Sequence, residues 1–181
     1  MRKIKSLFIE SSNELTKTRS LALAGILLAI AVVLGFFAVQ LTESIKISFA
    51  FIAEELCGAL FGPVVGLICG GVADILKYIV RPTGPFFPGF TISGILGGLI
   101  YGLVLYKRKI TLPRVILANA LVTVFVNMLL NTYWLTLLYG SAYMAIFPAR
   151  IIKELILLPI NVAIFYIVSK ILAKTAAFRG R

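Results

Sequence analysis

Histidine is absent from these 181 residues, cysteine occurs twice and tryptophan once. Without imidazole the chain lacks the side chain best suited to proton transfer near neutral pH, and most zinc and haem sites lose a usual ligand. Cys57 and Cys69 fall inside apolar segments with no metal-ligand spacing, and read as small buried hydrophobes. Charge is scarce too, at 14% of residues against about a quarter in soluble domains. A soluble globule, a disordered tail and a disulfide scaffold are therefore excluded. No phosphate-binding Gly-x-x-x-x-Gly-Lys-Ser/Thr loop is present, nor a clear duplication with helices broken mid-membrane. What remains is apolar: 60% hydrophobic residues and a mean hydropathy of +1.03. These are the marks of an integral membrane protein, with no enzyme, cofactor or metal expected.

The net charge of +11 would suggest nucleic acid in a soluble protein, but its placement suggests a bilayer. Six segments are long and apolar enough to cross, or nearly so: Ser20–Phe37, Phe49–Phe61, Val64–Val80, Phe90–Tyr106, Leu112 to about Leu138, and Pro148–Leu172. Pro113 and Pro148 suit first helical turns, where a missing N–H costs nothing. Most cations gather at alternate ends: Arg2, Lys3, Lys5, Lys17 and Arg19, then Lys107, Arg108, Lys109 and Arg114, then Lys170, Lys174, Arg179 and Arg181. The expected fold is an all-α membrane protein: a six-transmembrane-helix bundle with cytoplasmic N- and C-termini and a ligand pocket open to the extracellular side. Residues 1–17 form an N-terminal cytoplasmic or interfacial segment, 18–174 the transmembrane domain and 175–181 a cytoplasmic tail. Ile4, Leu7, Phe8 and Leu15 fit an interfacial amphipathic helix or a solvated leader. A signal peptide does not fit, because the first span starts late, runs long and lacks a cleavage site.

Ionisable residues within spans are costly and face protein, water or ligand. Asp74, Lys77 and Arg81 share one face of the third span by i, i+3, i+7 spacing. Arg150, Lys153 and Glu154 begin the sixth, while Asn127, Asn131 and Trp134 form a stripe near the end of the fifth, with Tyr133 alongside. Together they describe an outward pocket with cations for an anion, amides for a heterocycle's edge and aromatic faces for stacking. Structural readings compete: Asp74 with Lys77 and Arg150 with Glu154 also fit helical ion pairs, and Tyr133 and Trp134 fit an interfacial belt. Asn127 and Asn131 also suit bonding between helices. Glu54 and Glu55 point about 100° apart, cannot share a helical face and are read as structural, one of them neutral or met by a neighbouring cation.

The loop from Arg81 to Thr91 has three prolines, two glycines and three phenylalanines, including Phe87 and Phe90. Its stiffness and apolarity suit a wall or lid over the pocket. Val39–Ser48 alternates at Leu41, Glu43, Ile45 and Ile47, which permits a short hairpin-like cover. Ala22, Gly25 and Ala29 form a small-residue stripe on the first span, facing either the bundle or a partner helix. Gly94, Gly97, Gly98 and Gly102 on the fourth point to tight helix packing.

The small-residue first helix, the six-span plan and the run LFGPVVGLICGGVADIL…GPFFPGFTISGILGGLIYG resemble the substrate-binding S-components of energy-coupling factor (ECF) vitamin transporters. The stretch Gly84–Thr91 is most similar to the folate-specific members. The resemblance implies a bacterial plasma-membrane protein that captures folate outside and delivers it by joining a transmembrane scaffold protein and two ATPases. It also implies a small-residue contact on the first helix, for which Gly25-x-x-x-Ala29 supplies the register. Folate's carboxylates would then meet Lys77, Arg81, Arg150 or Lys153, and its pterin Asn127, Asn131, Tyr133, Trp134, Asp74 or Glu154. Other readings are an S-component for thiamine or a hydroxymethylpyrimidine, or a stand-alone ion-coupled carrier; the cationic rim argues against thiamine.

Overall fold

The computed structural model describes residues 2–42, 45–82, 84–140 and 143–174. Glu43, Thr83 and the tail 175–181, with Arg179 and Arg181, lie outside them. The helices are α1 (Arg2–Glu14), α2 (Thr18–Phe36), α3 (Phe51–Phe61), α4 (Pro63–Val80), α5 (Pro88–Leu105), α6 (Leu112–Leu121), α7 (Asn131–Tyr139) and α8 (Tyr143–Lys174). Strands β1 (Val39–Thr42) and β2 (Ile45–Ile47) pair antiparallel between α2 and α3, as the alternation there allows. Five helical stretches are long and apolar enough to cross a membrane: Thr18–Phe36, Pro63–Val80, Pro88–Leu105, Leu112–Tyr139 and Phe147–Leu172. Helix α3, with 11 residues, rises only about 16 Å and does not reach that length.

Helices α4 and α5 form the tightest seam. A Cβ at Gly98 would fall on the Gly66 carbonyl oxygen, and one at Gly70 on the Gly94 carbonyl. Gly58 and Gly102 bring α3 and the α3–α4 turn equally close to α5. Lipid tails are as apolar as leucine, so packing contacts rather than water exclusion hold such helices together. Gly97, also expected at the seam, meets nothing within 4 Å and faces the cavity described below. Gly98→Val is expected to lower the melting temperature in detergent by several degrees, an overpacking cost of about 1–3 kcal/mol. Gly97→Val should leave melting within a degree or two.

One end of the bundle is fixed by α1. Gly62 takes a left-handed φ of 93° in the turn between α3 and α4, and Pro63 opens α4 without needing an N–H partner. Ser11, fully buried, donates to the Phe61 carbonyl at 2.8 Å and accepts from the N–H groups of Val64 at 3.0 Å and Val65 at 3.3 Å. A side chain on α1 thus satisfies orphan donors at the start of α4. Glu14 accepts from Lys17 and Ser20, tying the connector to α2. α1 is therefore docked at its middle and C-terminal end while Ile4 and Ile9 stay exposed.

Two local expectations change. Pro148 does not start its helix: α8 begins at Tyr143, and the missing N–H of Pro148 falls inside it, as does that of Pro159. Each omits one i→i−4 bond, which membrane helices tolerate better than most. The fifth span runs unbroken but is wound as a π-helix over Val122–Leu130, between α6 and α7. No proline or glycine marks that segment.

Candidate functional site

A cavity of about 430 Å³ opens between the helices at the end that carries the hairpin and the Arg81–Phe87 loop. That size lies within the 300–1,000 Å³ usual for small-molecule sites. Its mouth is bordered by Ile47, Ser48 and Phe49 on one side and by Pro85, Phe86 and Phe87 on the other. Its depth is bordered by Tyr101 of α5, Asn119 of α6 and Asn161 of α8. The π-wound segment supplies Val122, Thr123, Val126 and Asn127 to the wall. π turns recur where a helix must aim side chains off the α register, often at functional sites.

Eight ionisable residues of Asp, Glu, Lys and Arg type line this cavity, four of each sign. Lys77, Arg81, Arg150 and Lys153 are the cations; Glu54, Glu55, Asp74 and Glu154 are the carboxylates. Members of both helical pairs open in the sequence make bonds outside those pairs. Lys77 Nζ crosses to Glu54 Oε1 on α3 at 2.5 Å, with its stem against Gly35 of α2. Asp74 Oδ2 accepts from the Thr91 hydroxyl at 2.8 Å. Glu154 Oε1 is bound by its chain neighbour Lys153 at 2.8 Å and Oε2 by Asn127 Nδ2 at 3.3 Å. For Lys77 and Asp74 the partners lie on neighbouring helices, α3 and α5, where less solvent screens the contact than at an exposed i, i+3 pair.

The arginines bond to backbone. Arg150, 6% exposed, donates Nη2 to the Asn127 carbonyl at 3.0 Å. Arg81 lies at the exposed mouth, where Nη1 donates to the Phe36 carbonyl and, at 3.4 Å, to that of Ala38. It caps the C-terminus of α2, where a cation suits the helix dipole. Asn131 Nδ2 donates to Asn127 Oδ1 at 3.3 Å, so Asn131, Asn127, Glu154 and Lys153 form one chain of polar contacts along α7, the π segment and α8.

Ten of the twelve residues expected at a binding site border the cavity: Asp74, Lys77, Arg81, Phe87, Phe90, Asn127, Asn131, Arg150, Lys153 and Glu154. Tyr133 and Trp134 do not. Tyr133 is half exposed, and Trp134 stands behind the loop, its Nε1 donating to Ser93 Oγ at 3.1 Å and its ring 5.7 Å from that of Phe87. Although Trp134 follows Asn131 by three positions in α7, its indole is engaged by Ser93 and Phe87 rather than turned to the cavity. Glu54 and Glu55, read as structural, both border the cavity, because the void lies between two directions 100° apart. Tyr78 and Tyr139, missed in the sequence, supply aromatic rings to the wall. Their positions at the ends of α4 and α7 were the available signal.

On α2 the buried positions are Ser20, Ala24, Leu27 and Ala31, whereas Ala22, Gly25 and Ala29 are exposed. A Cβ at Gly25 would meet nothing within 4 Å. The small-residue stripe faces away from the bundle.

Residues 19–169 match the family described as ECF transporter, substrate-specific component. The chain belongs to that family. This substrate-specific component is also similar to the folate transporter FolT of Clostridium novyi (strain NT), 40% identical over 131 residues that cover 72% of this chain and 76% of the relative. A folate transporter FolT of Leuconostoc mesenteroides is 34% identical over 155 residues, 82% of this chain and 83% of the relative. Among solved structures, FolT bound with folic acid shares 44% identity at a TM-score of 0.77, covering 83% of this chain and 93% of that one. The S component of a bacterial ECF transporter shares 25% at 0.59, covering 86% and 98%.

Proposed function

We propose that this substrate-specific component is the folate-binding membrane subunit of an ECF-type importer. It takes folate into the described cavity and delivers it by associating with an ATP-driven module of one transmembrane scaffold and two ATPases. The observation that carries the reading is the polar cavity in a chain similar to a folic-acid-bound FolT over most of its length. Arg150 and Lys153 suit the carboxylates of the glutamate tail, and Lys77 and Arg81 offer cations nearer the α2 side. Because Lys77 and Lys153 are already paired, a ligand carboxylate competes with Glu54 and Glu154 for them. Trp134 and Tyr133 act by supporting the loop rather than by stacking on the ligand.

The short helix α3 makes the sixth crossing, completing the span by tight packing against α4 and α5 rather than by length. The basic residues of α1, the α5–α6 turn and the tail support cytoplasmic ends and a cavity mouth facing outward, in a bacterial plasma membrane. Residues 1–17 then form an interfacial helix, 18–174 the binding domain and 175–181 a tail. Titration of the detergent-purified, ligand-stripped protein with folic acid by calorimetry is expected to give saturable 1:1 binding in the nanomolar range. An absence of binding, or another vitamin released on denaturation, overturns the assignment.

A further inference from the structure

The four carboxylates on the cavity wall are not equivalent. Glu54 is held by Lys77, Asp74 by Thr91, and Glu154 by Lys153 and Asn127. Glu55 is 4% exposed, stands beside Tyr101, and its Oε2 has no hydrogen-bond partner although it is buried. Asn131 Oδ1, at another residue of the cavity wall, is likewise a buried oxygen without a hydrogen-bond partner. A buried polar atom left unpaired is expensive and calls for an explanation. An oxygen acceptor on the wall of a binding cavity has one at hand, namely an N–H donor on the ligand.

We infer that Glu55 is the residue that recognises the amino-heterocycle of the ligand. Its carboxyl makes a two-point contact with an N–C–NH2 edge, the pattern found in a 2-amino-4-oxopteridine. The 2-amino group donates to one oxygen. The other oxygen pairs with the adjacent ring nitrogen, accepting from N–H as a carboxylate or donating to N as the neutral acid. Both forms make two parallel hydrogen bonds. The bidentate geometry rejects rings that lack the amino group, since a site built around a buried polar partner is penalised when that partner is missing. The tail carboxylates, by contrast, face the cations of α8 and α4. The heterocycle thus lies toward α3 and α5 and the acidic tail toward α8. This assignment moves the pterin-binding role from Asp74, held at Oδ2 by Thr91, or Glu154, held at both oxygens, to a residue that looked structural in the sequence. It rests on the folate reading above.

The test uses the full-length protein in detergent and two ligands: folic acid, and p-aminobenzoyl-L-glutamate, which keeps the tail and lacks the pteridine. Wild-type protein that binds neither ligand overturns the folate reading itself. Given wild-type binding, Glu55→Leu is expected to weaken folic acid about a hundredfold while changing p-aminobenzoyl-L-glutamate less than about twofold. Equal losses for both ligands, or no loss for folic acid, overturn the assignment of Glu55. Should the leucine protein fail to fold, Glu55→Met, closer in shape to glutamate, is measured in the same way with the same two outcomes. On the ligand side, the 2-desamino analogue of folic acid is expected to bind wild type about as weakly as folic acid binds the variant. Undiminished binding of that analogue overturns the two-point contact.

Discussion

Replacing Arg150 with alanine is expected to weaken folate binding by roughly 2–5 kcal/mol, about thirty- to several-thousand-fold in Kd. The size follows from burial. Arg150 is 6% exposed and held against the π segment through the Asn127 carbonyl, so its guanidinium is fixed before the ligand arrives. A planar fork of donors fits a carboxylate at two points, and a pre-positioned one loses little freedom on binding. Without it, a ligand carboxylate would lie in a low-dielectric cavity beside Glu154, with Lys153 left to serve both. Arg150→Lys should recover only part of the loss, because a single ammonium cannot reproduce the two-point geometry. Arg114→Ala, at the opposite and exposed end of the bundle, serves as the control and should leave affinity unchanged. Calorimetry on detergent-solubilised protein measures all three; wild-type affinity in the Arg150→Ala protein would remove the tail subsite from α8.

Replacing Ala29 with tryptophan is expected to leave folate binding within about twofold while reducing assembly with the energising module at least tenfold. Ala29 lies with Ala22 and Gly25 on the exposed side of α2, opposite Ala24, Leu27 and Ala31. In lipid, small residues let helix backbones approach, and a bulky side chain there holds a partner helix away at a cost of about 1–3 kcal/mol or more. Within the isolated subunit the same side chain projects into lipid. Co-purification with the scaffold and both ATPases reads assembly, and folic acid titration reads the pocket. A tryptophan protein that loses folate binding but still assembles would mean that the stripe serves the bundle instead.

Arg150 serves what the chain does alone, and Ala29 what it does with partners. Arg150 stood out in the sequence because a charge beside an apolar run must be explained. Ala29 stood out only as one of several small residues, and its spacing fitted either face of α2. Exposure decides it. The glycines of α5 show a similar division: Gly94 and Gly98 meet α4 backbone, whereas a Cβ at Gly97, next in sequence to Gly98, would meet nothing within 4 Å.

By itself the sequence determined the membrane setting, five of the six expected helical spans, the apolar wall at Pro85–Phe87 and most residues of the cavity. Hydropathy and charge act locally and at high energetic cost in a bilayer, so they leave a plain trace in the order of residues. The tertiary structure alone decided which partner each charge takes. Lys77 bonds to a residue 23 positions away rather than to Asp74, and Asn127 to one 27 positions away. It alone wound Val122–Leu130 as a π-helix and left Glu55 Oε2 buried without a hydrogen-bond partner. Pairing across helices depends on which seams close and how tightly, as the glycine contacts between α4 and α5 do around the Asp74–Thr91 bond. No spacing along one helix encodes it.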